Sequence, residues 1–144
     1  SYSFGISPDS GRTGHLDIYM ETDSSFIFCF NLSRGAPSYN MGYLVGRAIV
    51  KKGNWIYYKE DKIFGTCGLI FIFDKHLEFE RNSYRKVVSV EIETLEGMYE
   101  CGYGHAVYSD GIYEQYSFEV PKFYLVSPFS YSSDTLWFKD YPLF

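Results

Sequence analysis

Phe26-Ile27-Phe28-Cys29-Phe30-Asn31-Leu32 decides how this chain folds. Phe26, Phe28, Phe30 and Leu32 recur at every second position, and a period of two puts all four on one face of an extended strand. A helix would scatter them around its axis. Working outward, the same alternation returns on both sides. Residues 15–20 carry Leu16, Ile18 and Met20 on one face. Downstream, residues 44–50 form a third run and residues 55–58 a fourth. Leu69, Phe71 and Phe73 line a fifth, Leu77 and Phe79 a sixth, and Val88, Val90 and Ile92 a seventh. Residues 111–120 carry an eighth, with Ile112, Tyr116 and Phe118 as its expected apolar face.

The gaps between runs have turn chemistry. Asp23-Ser24-Ser25, Ser33-Arg34-Gly35-Ala36-Pro37-Ser38, Lys51-Lys52-Gly53-Asn54 and Ser109-Asp110-Gly111 supply residues that tolerate tight backbone geometry. Asp74-Lys75 reads as a two-residue connection between the fifth and sixth runs. The best helical candidate is residues 87–98, where Val87, Val90, Ile92 and Leu95 could share a face. Val, Ile and Thr are too frequent there for a good helix. Regular short strands joined by short turns predict an all-β fold, a single antiparallel β-barrel or sandwich of about eight strands. One β domain over residues 1–144 is expected, with its core at 14–120. The segment 121–144 is interrupted by Pro128 and Pro142 and is expected to form an extended C-terminal tail.

Composition narrows the function. Of 144 residues, 21% are aromatic, with 15 Tyr and 13 Phe. Rings favour pleated surfaces and bury large areas, so the excess implies crowded sheet faces and, where rings are exposed, a contact surface. Trp55, Tyr57, Tyr58, Tyr103 and Tyr108 are the candidates for contact, with core packing as the competing use. The net charge is −5, and basic residues occur only in short clusters such as Lys51-Lys52 and Arg85-Lys86. That lacks the basic footprint of a nucleic-acid binder. No apolar run reaches the ~20 residues of a membrane-spanning helix, so no transmembrane segment is expected. The sequence opens on Ser1 rather than Met, so the lack of a leader carries no weight.

No residue set reads as catalytic. Gly102-Tyr103-Gly104-His105 has glycines but is followed by strand-like Ala106-Val107-Tyr108, not by the helix that a phosphate loop requires. His105, Ser109 and Asp110 have the residue types of a hydrolase triad, yet they crowd into one turn without a nucleophile elbow. His15 and His76 stand alone beside turns and read as surface residues. Glu91/Glu93 and Glu78/Glu80 are same-face pairs that read as solvated strand faces. Cys101 and His105 with Cys67 give too few ligands for a tetrahedral zinc site, so no metal and no cofactor is expected. The three cysteines leave at least one unpaired. Cys29 reads as a small buried hydrophobe. Cys67 and Cys101 each border a glycine at the end of an apolar run, which suits either a cross-strand disulfide or two free thiols.

Residues 42–118 carry a resemblance. Cys67 opens the alternating Gly68-Leu69-Ile70-Phe71-Ile72-Phe73, then come Cys101-Gly102-Tyr103-Gly104 and Asp110-Gly111-Ile112-Tyr113. This order resembles small exported bacterial β-barrel proteins similar to the periplasmic and membrane-bound lysozyme inhibitors. The resemblance implies a Cys67–Cys101 disulfide and a periplasmic or extracellular location. It also implies a non-enzymatic binding protein, an inhibitor of a lysozyme-like cell-wall hydrolase or toxin. Inhibitors of that type use a Ser-Gly-x-x-Tyr-like loop. Ser109-Asp110-Gly111-Ile112-Tyr113 departs from it by an inserted Asp and a shorter Gly-to-Tyr spacing. The expected binding loop is Gly102, Tyr103, Gly104, His105, Tyr108, Ser109, Asp110, Gly111 and Tyr113. Two other functions fit the residues: a small-ligand or glycan-binding barrel, and a cytosolic immunity protein against a toxin.

Overall fold

A computed structural model describes residues 1–5 and 11–119. The expected tail at 121–144 lies outside the described residues. Eight strands run in chain order: β1 (Tyr2–Phe4), β2 (Thr13–Thr22), β3 (Ser25–Ser33), β4 (Met41–Lys51), β5 (Asn54–Asp61), β6 (Gly65–Glu80), β7 (Ser83–Tyr99) and β8 (Gly111–Gln115). Each pairs antiparallel with the next, and β1 pairs with β8 to close a barrel. The short β1, which precedes the expected core, is therefore the closing strand.

The deciding stretch forms β3, and its period is kept: Phe26, Phe28 and Phe30 are fully buried and Leu32 nearly so. An eight-stranded barrel is just wide enough for side chains to fill its interior. Here aromatic rings fill it. Phe28 meets Tyr57 at 5.1 Å and 80°, and Phe26 meets Phe71 at 5.1 Å and 84°. Such edge-to-face contacts add about 0.5–1.5 kcal/mol per pair to the area buried. Room for the rings comes from glycine at inward positions of β4. A Cβ on Gly46 would lie 2.6 Å from the Phe28 ring and 2.7 Å from Tyr57.

Two expectations about strand layout are corrected. Asp74-Lys75 is not a turn: β6 runs through it, with Asp74 opposite Ser89 and Lys75 opposite Val88. The chain reverses instead at Arg81 and Asn82, whose φ values of 50° and 64° are left-handed, as a two-residue hairpin turn requires. The polar break at 74–75 arises because β6 and β7 there leave the barrel and continue as a two-stranded ribbon. β6 pairs with β5 only up to Phe71, and β7 pairs with β8 only from Ser89 onward. In consequence Leu77 and Phe79 are 68% and 64% exposed, not an inward face.

The second correction concerns β8, which ends at Gln115, short of residue 120. Its buried residue is Tyr113, whereas Ile112, Tyr116 and Phe118 are exposed. Tyr116 and Phe118 lie beyond the strand, so the period that linked them to Ile112 does not apply. The region 87–98 is strand, with Val87, Val90 and Ile92 buried.

Candidate functional site

The expected binding loop follows β7 and covers one end of the barrel. Its anchor is the Cys67–Cys101 disulfide, which joins the start of β6 to the residue after Glu100, with Cα atoms 4.7 Å apart. Cys29 is the free thiol, and burial pushes its pKa up to about 11. The pairing next to the staple is irregular: Cys67 faces Tyr99, and Glu100 N–H donates to the Thr66 carbonyl at 3.1 Å.

From Gly102, at φ +78°, the chain turns across the barrel end. Tyr103 and Val107 drop onto the core, and the start of β4 is shaped to take them. A Cβ on Gly42 would sit 2.8 Å from the Tyr103 ring and 2.9 Å from Val107. Gly104 N–H donates to the Met41 carbonyl at 3.0 Å, and Asn40 Nδ2 donates to the His105 carbonyl at 3.0 Å. Arg12 crosses from the other side, donating to the Asp110 carbonyl at 2.8 Å while its guanidinium sits 4.6 Å over the Phe4 ring. The Thr94 hydroxyl donates to the Asp110 carboxylate. Tyr113 is buried and its hydroxyl donates to the Ser109 carbonyl at 2.7 Å. The loop is thus fixed at both ends and along its length.

Those ties sort the nine expected residues. Tyr103, Ser109 and Tyr113 are used inward, and Gly111 opens β8 opposite Ile92. Burial raises the pKa of Tyr103 and of Tyr113. The Ser109 hydroxyl lies close enough to Tyr103 to favour its phenolate slightly, but no hydrogen bond of ordinary geometry joins the two. Asp110 and Gly104 are occupied by their hydrogen bonds. Gly102, His105 and Tyr108 face solvent, with Tyr108 60% exposed. His105, Ser109 and Asp110 share no hydrogen bond, and the Ser109 hydroxyl is buried. Among the described residues, no group of three or more His, Cys, Asp and Glu could hold a metal ion, and no helix is long and apolar enough to cross a membrane.

No family model, no curated protein and no solved structure matches this chain. The reading of the site therefore rests on its geometry.

Two shallow clefts flank Gly102. One, of about 230 Å³, lies between Tyr99, Tyr108 and Tyr103; the other, of about 320 Å³, lies between Phe64, Leu44 and the disulfide. A Cβ on Gly102 would meet nothing within 4 Å, so the glycine backbone is bare between them. Tyr99, Phe64, Ile63 and Met41 are exposed at this same end, where β5 ends and β4 and β6 begin. Sequence reading missed Phe64 and Ile63, because they sit in a turn with no alternation to mark them. Of the five aromatic candidates, Tyr57 is fully buried in the barrel and its pKa is pushed up to about 12 by that burial. Trp55 packs against the core, Tyr103 caps it, and Tyr58 and Tyr108 are exposed.

Proposed function

We propose that this chain is a non-enzymatic exported binding protein. In this reading it meets a protein partner, a lysozyme-like cell-wall hydrolase or a toxin, with the barrel end closed by residues 102–113. One observation carries the proposal: exposed Tyr108 stands on, and exposed Tyr99 at the strand end beside, a loop immobilised by a disulfide, by Arg12 and by the start of β4. Exposed rings on a rigid support lose little entropy on binding and are the commonest interface anchors.

Other features agree. A disulfide suits an oxidising compartment and disfavours the cytosolic immunity reading. A net charge of −5 would steer the chain toward a basic hydrolase. A ligand held inside the barrel is not supported, because Phe28, Phe30, Phe71 and Tyr57 fill the interior. The contact would differ from a Ser-Gly-x-x-Tyr-like loop entering a cleft, since Ser109 and Tyr113 are buried. Gly102, His105 and Tyr108 take that place.

Calorimetry against c-type, g-type and i-type lysozymes tests the proposal. At least one is expected to bind at micromolar affinity or better. Absence of binding to all three removes the inhibitor reading.

A further inference from the structure

A second site lies on the outer wall, running from the β4–β5 turn toward the disulfide end. β4 and β5 pair through only Ile49–Ile56, Val50–Trp55 and Lys51–Asn54, next to their turn. The nine pairs between β3 and β4 run the full strand by contrast. Across β5, the β6–β7 register jumps: Gly68 alone on β6 faces residues 95–98 on β7. That excursion folds over Gly68, where a Cβ would lie 2.4 Å from the Met98 sulfur and 3.3 Å from Leu95. Leu95 and Met98 therefore form a raised wall. Opposite them lie Ile49 and Ile56, and a groove of about 560 Å³ runs between. That volume falls in the range of small-molecule sites.

The charges along the groove are uneven. Arg47 is held by Glu21, with Nε donating to a carboxylate oxygen at 2.7 Å. The Tyr58 hydroxyl reaches Glu60 at 3.5 Å. Lys51 and Lys52, at the turn end, have no carboxylate partner among the described residues and sit on a chain of net charge −5. The groove thus offers, at one end, two ammonium groups without a carboxylate partner among the described residues, and an apolar channel behind them. Arg47 and Lys51 are four residues apart on one strand, ~13 Å of channel. Its remaining polar side chains are largely engaged, so it favours a long apolar body with one charged head over a peptide, whose amides would need repeated partners. The thioether of Met98 lets the wall adapt to a flexible chain.

We infer that this groove binds a single-chain amphiphilic anion of the fatty-acid class. The carboxylate lies on Lys51 and Lys52, and the acyl chain lies between Ile49, Ile56, Leu95 and Met98. The probe is dodecanoate below its micelle concentration, titrated by calorimetry beside the neutral dodecyl maltoside and the cationic dodecyltrimethylammonium. Dodecanoate is expected to bind saturably at one site and the other two at least about tenfold more weakly. The Lys51→Glu/Lys52→Glu double variant changes an exposed turn and is expected to fold and to lose about tenfold in dodecanoate affinity. Ile56→Asp tests the channel independently and is expected to lose as much, with its fold checked by far-ultraviolet circular dichroism. The inference is overturned by no saturable dodecanoate binding, by equal binding of the three amphiphiles, or by unchanged affinity in the double variant.

Discussion

Two halves of one strand, β6, show what an alternating sequence does and does not decide. Leu69 and Phe71 lie where β6 is flanked by β5 and β7, and both are buried. Leu77 and Phe79 keep the same alternation eight residues later, where β7 is the only neighbour among the described residues, and both are mostly exposed. Alternation makes a strand in both places. Burial needs a second layer or a closed wall, and the described residues give the ribbon neither. The ribbon is held by cross-strand contacts instead: Phe79 against Tyr84 at 5.1 Å on one face, and His76, Glu78 and Arg85 linked on the other.

This contrast can be broken by substitution. Phe28→Ala removes a ring at the centre of the barrel and is expected to cost about 3–5 kcal/mol in urea unfolding. Losing the staple comes next. Cys67→Ser with Cys101→Ser frees a loop of about 35 residues and is expected to cost up to about 4 kcal/mol, seen as a lower urea midpoint. Phe79→Ser, the ribbon's counterpart to Phe28→Ala, is expected to change stability by no more than about 0.5 kcal/mol. A loss near that of Phe28→Ala would mean that the ribbon packs on something.

The smallest effect is one of pH. Glu78 first, and then Asp74, hold the His76 imidazole protonated and raise its pKa above 6.5. A raised folded value means that the contribution is fully present below about 6.5, the unfolded value. It is lost as pH rises through the folded value. Protection factors of the ribbon amides, taken relative to intrinsic exchange at each pH, should therefore fall across that window, and His76→Gln should abolish that fall. An NMR midpoint for His76 at or below 6.5 would sink this account.

The sequence was legible where a local rule is also the global one. β3 reads directly because all its inward positions are aromatic or Leu and all reach the core. Lys52-Gly53 reads as a turn because glycine tolerates its φ of 80°. The Arg81-Asn82 turn was hidden, since Arg takes a left-handed conformation only when the flanking strands impose it. β1 was hidden because Tyr2–Phe4 is too short to alternate. At the candidate site, the loop and its cysteines were visible. Which residues face outward was not, because Tyr113 turns inward to bond the Ser109 carbonyl and the period around it cannot reveal that. The groove by Lys51 and Lys52 depends on a register jump across two other strands, which no local pattern encodes.

The same comparison reaches function, because two exposed aromatic surfaces compete: the fixed loop at the disulfide end and the ribbon. The direct measurement is a calorimetric titration of whichever lysozyme binds the parent chain, repeated with Tyr108→Ala and with Phe79→Ala. Tyr108→Ala is expected to weaken binding at least about tenfold, or ~1.4 kcal/mol, and Phe79→Ala to leave it unchanged. Loss of binding in Phe79→Ala with full affinity in Tyr108→Ala would contradict the account and move the contact surface to the ribbon.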